Sequence, residues 1–192
     1  MGKIIIIAGD LAVGKSRLAK ALSNYYDIPY FNKERFKEIL ADEFPYDDKE
    51  QNRKLSRIAK QLLLHIMGRV ARTGESVILE ANFHQPELEQ IKQETDFYKA
   101  PVYLLHLTGD IDVLYDRLLY RERYENRHPV HLTLALQSIE EFETYVMKWR
   151  NEPEILPRLT IDVSGKDTDH VLAEAVHILE ETDPSFKKLR AK

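Results

Sequence analysis

Ile4-Ile5-Ile6-Ile7-Ala8-Gly9-Asp10-Leu11-Ala12-Val13-Gly14-Lys15-Ser16 decides how the rest of the chain is read. A continuous apolar, β-branched run such as residues 4–8 suits a strand covered on both faces, the situation inside a parallel sheet. Glycines follow, and from Lys15 to about Tyr25 the apolar residues fall at helical spacing. The stretch therefore reads as a strand, a tight loop and a helix. Residues 9–16 fit G-x-x-x-x-G-K-[ST] at every specified position. Glycines let such a loop curl until successive N–H groups converge on phosphate oxygens, and the helix start adds its positive end.

By this reading Gly9, Asp10, Leu11, Ala12, Val13, Gly14, Lys15, Ser16 and the adjoining Arg17 hold a nucleoside triphosphate. Lys15 is expected to reach the β- and γ-phosphates, and the Ser16 hydroxyl to supply an oxygen ligand to Mg²⁺. The loop alone does not choose between a kinase, an ATPase and a GTPase.

Strand and helix signals alternate along the remainder. Residues 29–31 suit a short strand, 34–40 a short helix, 76–79 and 102–107 buried strands, and 159–163 a last strand. Asp48 with Gln51 predicts a capped helix ending near Gly74, with apolar residues at 55, 58, 62, 66 and 70. Pro86 suits the first turn of a helix to about Phe97, and Asp110 caps another. Further helices are expected over 133–150 and 168–181. Alternating βα units imply a mainly parallel sheet with helices on both faces. One domain is expected over 1–183, with 184–192 a frayed tail.

The chain has 192 residues, 43% hydrophobic and 31% charged, the balance of an ordinary globular protein. Cysteine is absent, which removes thiolate chemistry and fits a reducing, cytoplasmic setting. The opening apolar run falls far below the ~20 residues that span a bilayer, so no membrane partner is expected. A formal net charge of −4 gives no global attraction to nucleic acid, so such a partner would need a local basic patch. Oligomeric state leaves no signal in the sequence.

Three segments narrow the chemistry. Asn32-Lys33-Glu34-Arg35-Phe36-Lys37-Glu38 opens a helix after the second strand, where the Glu34 carboxylate can take a hydroxyl proton and Lys37 can hold an anionic or polar group. The same pattern also describes a solvated charged helix. Glu80-Ala81-Asn82-Phe83 ends a strand at the ligand-binding edge of an open sheet. There Glu80 suits the water shell of Mg²⁺, while Asn82 bonds substrate or neighbouring loops, or merely turns the chain. Arg121 to Pro129 is basic and irregular, a lid whose arginines close on the γ-phosphoryl oxygens or a surface loop. His128 and His131 have metal-compatible spacing, with no third ligand evident.

Together these residues resemble the P-loop kinase group that includes polynucleotide 5′-hydroxyl kinases, chloramphenicol phosphotransferase and small-molecule kinases classed as AAA-domain ATPases. The resemblance runs from Lys3 to about Val163 and implies a three-layer α/β P-loop fold with a five-stranded sheet and an Arg-rich lid at 121–131. In that group a K-D or R-D pair, then an aromatic and a basic residue, opens the helix after the second strand. Lys33-Glu34-Arg35-Phe36-Lys37 holds that place. The family Asp, implied to be the catalytic base, falls on Glu34, one methylene longer, and Lys37 takes the acceptor-contacting position. Glu80 and Asn82 are implied to face substrate. Arg121, Arg123, Arg127 and His128 resemble the family lid, with Arg121 on the nucleotide and Arg123 and Arg127 catalytic alongside Lys15. The family Gly after the lid Pro is Val130 here, which implies a stiffer lid.

No Asn-Lys-x-Asp guanine motif is present, which favours ATP. The expected activity is transfer of the γ-phosphoryl group from Mg²⁺-ATP to a hydroxyl of a small-molecule acceptor. A polynucleotide 5′-hydroxyl kinase is the alternative and would need a basic channel, with Lys33, Arg35, Lys37 and Arg53 available for it. A further alternative is an ATPase or switch acting through a protein partner.

Overall fold

A computed structural model describes residues 2–131, 136 and 138–191, the last two by backbone alone. Five strands form one sheet: β1 (Ile4–Gly9), β2 (Tyr30–Asn32), β3 (Val77–Glu80), β4 (Val102–Thr108) and β5 (Arg158–Asp162). Their order is β2-β3-β1-β4-β5 and every pairing is parallel, with Ile6 in register with Leu79 on one side and Leu104 on the other. The helices are α1 (Lys15–Tyr26), α2 (Lys33–Glu43), α3 (Lys49–Thr73), α4 (Gln85–Tyr98), α5 (Ile111–Tyr124), α6 (Ile139–Arg150) and α7 (Thr168–Thr182). None of the described helices is long and apolar enough to cross a membrane.

The isoleucine run of β1 is explained by this layering. Side chains alternate along a strand, so Ile5 and Ile7 pack with Leu18 and Leu22 of α1, Leu114 of α5, Phe142 of α6 and Leu179 of α7. Ile4 and Ile6 pack on the opposite face with Leu63 and Met67 of α3 and Leu88 and Ile91 of α4. All four isoleucines are fully buried, so neither face of the strand has room for a polar residue. A third, small cluster joins Ala41 of α2 and Leu55 of α3 to Val130. It ties the segment around Val130 to the body of the protein.

Side chains cap these helix starts, at Asp48 and Asp110 as the sequence signals and at Asn32 in addition. Asn32 accepts from Arg35 N at 2.6 Å, Asp48 from Gln51 N at 2.7 Å and Asp110 from Val113 N at 3.1 Å. Gly74 closes α3 in the left-handed conformation, at φ 73°.

Three expectations need correction. Helix α5 continues to Tyr124, so Arg121 and Arg123 stand on its last turn rather than in an irregular loop. The polar run there carries too few apolar residues to show helical periodicity, and α5 is held by its N-terminal half, through Leu114 and Leu118. Helix α6 begins at Ile139, capped by Ser138, and the expected start at Thr133 lies outside the described residues. Residues expected to fray form a 3₁₀ segment, Pro184–Ala191. Its Phe186 is fully buried against Tyr26 and Tyr103, and Lys3 reaches Asp183 and Ser185. One aromatic residue anchors the segment, too little to register as a pattern.

Candidate functional site

The loop between β1 and α1 is built around positive φ angles at Gly9 (135°), Ala12 (63°) and Gly14 (93°). At Gly9 a Cβ would lie 2.0 Å from the Leu107 carbonyl oxygen of β4, so only glycine lets the two strands approach there. At Gly14 a Cβ would project into open space, so only the left-handed φ calls for glycine there. Lys15 folds back over the loop, with Nζ donating to Gly9 O at 3.0 Å and Asp10 O at 2.6 Å. Burial lowers the Lys15 pKa to about 8, against the opposing pull of Glu80, Asp10 and Glu34.

Ser16 Oγ donates to Glu80 Oε1 at 2.7 Å, across from α1 to the end of β3. The other carboxyl oxygen, Glu80 Oε2, is buried and has no hydrogen-bond partner among the described residues. Burial raises the Glu80 pKa, outweighing the Ser16 bond and the Lys15 charge. A hydroxyl and an incompletely satisfied carboxyl, both oxygen donors beside a phosphate cradle, fit a hydrated Mg²⁺ ion.

Two side chains hold the loop in place. The Asn82 carboxamide accepts from Gly9 N at 3.0 Å and donates to Gly9 O at 2.9 Å. Of the places the sequence leaves open to Asn82, the structure shows the bond to a neighbouring loop: the side chain clamps the end of β1. Asp10 also departs from expectation: its carboxylate, almost fully buried, accepts from Arg150 Nη2 at 2.5 Å and from Gly109 N at 3.3 Å. Only its backbone is left to serve the loop. Arg150, at the end of α6, also donates to Gly109 O at 2.5 Å.

On the other side of the cleft, α2 presents Glu34 from its first turn. Lys33 Nζ lies 2.6 Å from Glu34 Oε1, and His131 Nδ1 lies 2.8 Å from Glu34 Oε2. The second His131 nitrogen meets Glu38 at 2.9 Å, so the ring is clasped between two carboxylates one helical turn apart. Burial would raise Glu34, but the His131 hydrogen bond and the Lys33 charge outweigh it and hold its carboxyl well below the usual range. Lys37 is buried and donates to Val130 O at 3.1 Å, an oxygen it shares with Asn52 at 2.9 Å. Burial lowers its pKa to about 8.

The segment expected to be a lid, residues 121–131, divides into a helical half and a docked half. Arg117 and Arg121, one turn apart on α5, line the cleft, as does Arg127. Arg123 does not: it is exposed, with its guanidinium 6.0 Å from the Tyr124 ring centroid. A catalytic place for Arg123 is therefore withdrawn, because helical geometry turns it away from Arg121. Pro129–His131 forms a 3₁₀ turn whose Val130 is fully buried. The histidines serve different carboxylates, His128 meeting Asp42 at 3.1 Å.

All these parts open onto one cleft of about 1240 Å³, which Lys15, Ser16, Arg17, Glu34, Lys37, Glu80 and Asn82 line together. Twelve lysines and arginines but only five carboxylates line it, in a chain whose net charge is negative. Concentrating cations in a concave surface focuses the field on anionic ligands. Arg117, Lys49, Lys60, Lys148 and Trp149 belong to this lining and carried no motif in the sequence.

No protein-family profile matches the chain, and no curated protein matches it. Solved structures do. A candidate kinase from Chloroflexus aurantiacus is 25% identical, with 92% of this chain and 97% of that one covered and a TM-score of 0.76. A gluconokinase from Sinorhizobium meliloti is 14% identical, covering 97% and 95% with a TM-score of 0.61. A shikimate kinase from Bacteroides thetaiotaomicron is also 14% identical, covering 93% and 98% at 0.60. The five-stranded parallel sheet with its flanking helices is the fold that the chain shares with these structures.

Proposed function

We propose that this chain is a Mg²⁺- and ATP-dependent phosphotransferase that moves the γ-phosphoryl group to a hydroxyl of a small acceptor. The observation that carries the reading is convergence: Lys15, the Ser16–Glu80 pair, Glu34 and the arginines Arg121 and Arg127 line one cleft. Similarity to a candidate kinase over nearly the whole of both chains supports it.

Lys15 leaves its two carbonyl partners to bind phosphate oxygens, and the loop amides and Arg17 hold the rest of the triphosphate. Ser16 and Glu80 would hold Mg²⁺ and its waters, which supplies charge neutralisation on the phosphates. Glu34 takes the proton of the acceptor hydroxyl as its oxygen bonds to phosphorus and the bond to the ADP oxygen breaks. The Glu34 side chain is 44% exposed, and each carboxylate oxygen accepts more than one hydrogen bond, so the acceptor can reach it beside Lys33 and His131. Arg121 and Arg127 stabilise charge on the moving group. Asn82 keeps Gly9 in register and takes no direct part.

A polynucleotide 5′-hydroxyl acceptor is the second reading, favoured by the cationic lining. Arg35, expected in such a channel, pairs instead with Glu38 at 3.2 Å and does not line the cleft. Incubation with γ-labelled ATP and pooled metabolites, nucleosides, antibiotics and oligonucleotides tests the proposal. Label on an acceptor is the expected result; label released only as free phosphate would mean an ATPase.

A further inference from the structure

Helix α3 carries Lys49, Arg53, Ser56 and Lys60 at successive helical turns, and all four line the cleft. Their partners are unequal. Lys60 meets Glu87 at 2.9 Å, whereas Lys49 and Arg53 have no carboxylate or hydrogen-bond partner among the described residues. Arg57, which does not line the cleft, takes Glu50 at 3.1 Å. The acidic residue near the start of α3 is thus spent away from the cleft, and the cleft face is left with uncompensated positive charge. Helix α2, which packs along α3, adds Lys33 and Lys37 from the turns that carry Glu34. Nucleotide binding by the loop and the arginines of α5 gives these α3 residues nothing to do.

We infer that the acceptor is itself an anion: a small hydroxyl compound bearing a phosphate or carboxylate group, which sits on Lys49 and Arg53 while its hydroxyl faces Glu34. The inference rests on the phosphotransferase reading and deepens it. A guanidinium fork matches either group with two parallel hydrogen bonds, and an ammonium adds a point charge. Unpaired cations gathered in a concave site repel one another, and an anionic ligand relieves that repulsion. Trp149, stacked on His84 at 4.1 Å, also lines the cleft. It is the sole tryptophan of the chain, so its fluorescence reports on this cleft alone.

The test uses the full chain with Mg²⁺-ATP and acceptors matched in carbon skeleton: a sugar, its phosphate ester and its aldonic acid. Charged members should be preferred, and the two anionic arms separate phosphate from carboxylate. Arg53→Ala and Lys49→Ala should each raise the anionic acceptor's KM about tenfold or more, as loss of a hydrogen bond to a charged group does, with kcat and the KM for ATP little changed. Equal use of the neutral sugar, or an unmoved KM in both variants, would overturn the inference while leaving phosphotransfer intact. A 5′-hydroxyl oligonucleotide outperforming every small anion would also overturn it. Should no acceptor be labelled, the phosphotransferase reading fails first. Titration of Trp149 fluorescence with glucose 6-phosphate and gluconate, in the presence of a non-hydrolysable ATP analogue, then decides the anion site: a saturable change lost in Arg53→Ala supports it, and no change refutes it.

Discussion

The two walls of the cleft are made in opposite ways. The phosphate-loop wall comes from one contiguous stretch, residues 9–16, and its shape is a property of the backbone: three positive φ angles, two Asn82 bonds to Gly9 and an amide-lined hollow. The acceptor wall is assembled from α2, α3, the end of β3, the 3₁₀ turn at Pro129–His131 and the end of α6, and its shape is a property of side chains. A backbone site tolerates little change and binds one kind of group. A side-chain site can be altered residue by residue, which is how one fold can serve different acceptors.

The contrast can be broken at its strongest point first. Lys15→Ala should reduce phosphoryl transfer by about 10²–10³-fold or more, the cost of removing a preorganised donor to transition-state charge, and should sharply weaken ATP binding by calorimetry. Retained transfer would mean that the loop does not grip the triphosphate as described. Glu34→Gln addresses the opposite wall. Transfer should slow by about 10²–10⁴-fold, the range for loss of a general base, with ATP affinity intact. Unchanged transfer would remove Glu34 from the mechanism and leave it only the His131 and Lys33 contacts.

Arg150→Ala sharpens the comparison by attacking the support of the loop from a distant helix. It strands the buried Asp10 carboxylate, so stability in urea should fall by about 3 kcal/mol, at the low end for a broken buried pair because Arg150 is partly exposed. Asp10→Asn in the same background should recover part of the loss. A drop too small to measure would show that the pair is not what holds Asp10.

The smallest effect is a proton. In the free protein Lys15 has a pKa near 8, below the ordinary lysine value, and bound phosphates favour its charged form. Nucleotide binding near pH 8 should therefore take up a proton, and affinity should weaken as pH rises through 8, by at most about tenfold per unit for one proton. Calorimetry in buffers of different ionisation enthalpy measures the uptake. Lys37 also titrates near 8, so the uptake should persist in Lys37→Gln; its disappearance would move the titration to the acceptor wall.

Legibility followed the same division. The strand, loop and helix of residues 4–26 were readable because each step depends on neighbours in sequence: an unbroken run of isoleucines buried on both strand faces, glycines where φ must be positive, helical spacing after Lys15. The caps at Asp48 and Asp110 were readable for the same reason. Asn82 was visible as a residue near the site, but its bonds to Gly9 span 73 positions and no local pattern encodes them. Arg150 reaches Asp10 across 140 positions and gave no signal at all. His131 was weighed as half of a metal pair; in the fold it stands against Glu34, 97 residues away by number, because Val130 beside it is buried under α2 and α3. The basic run from Arg121 read as loop, since a helix held by its other end needs no apolar face of its own.

By itself, the sequence determined a parallel α/β core with a glycine loop between the first strand and the first helix, because burial of both strand faces and the left-handed angles of the loop impose residue types locally. Only the tertiary structure decided which cations share the cleft, that Asp10 faces Arg150 instead of ligand, and that Arg123 turns outward. Those outcomes depend on helix rotation and on pairings between distant segments, for which one-dimensional spacing carries no constraint.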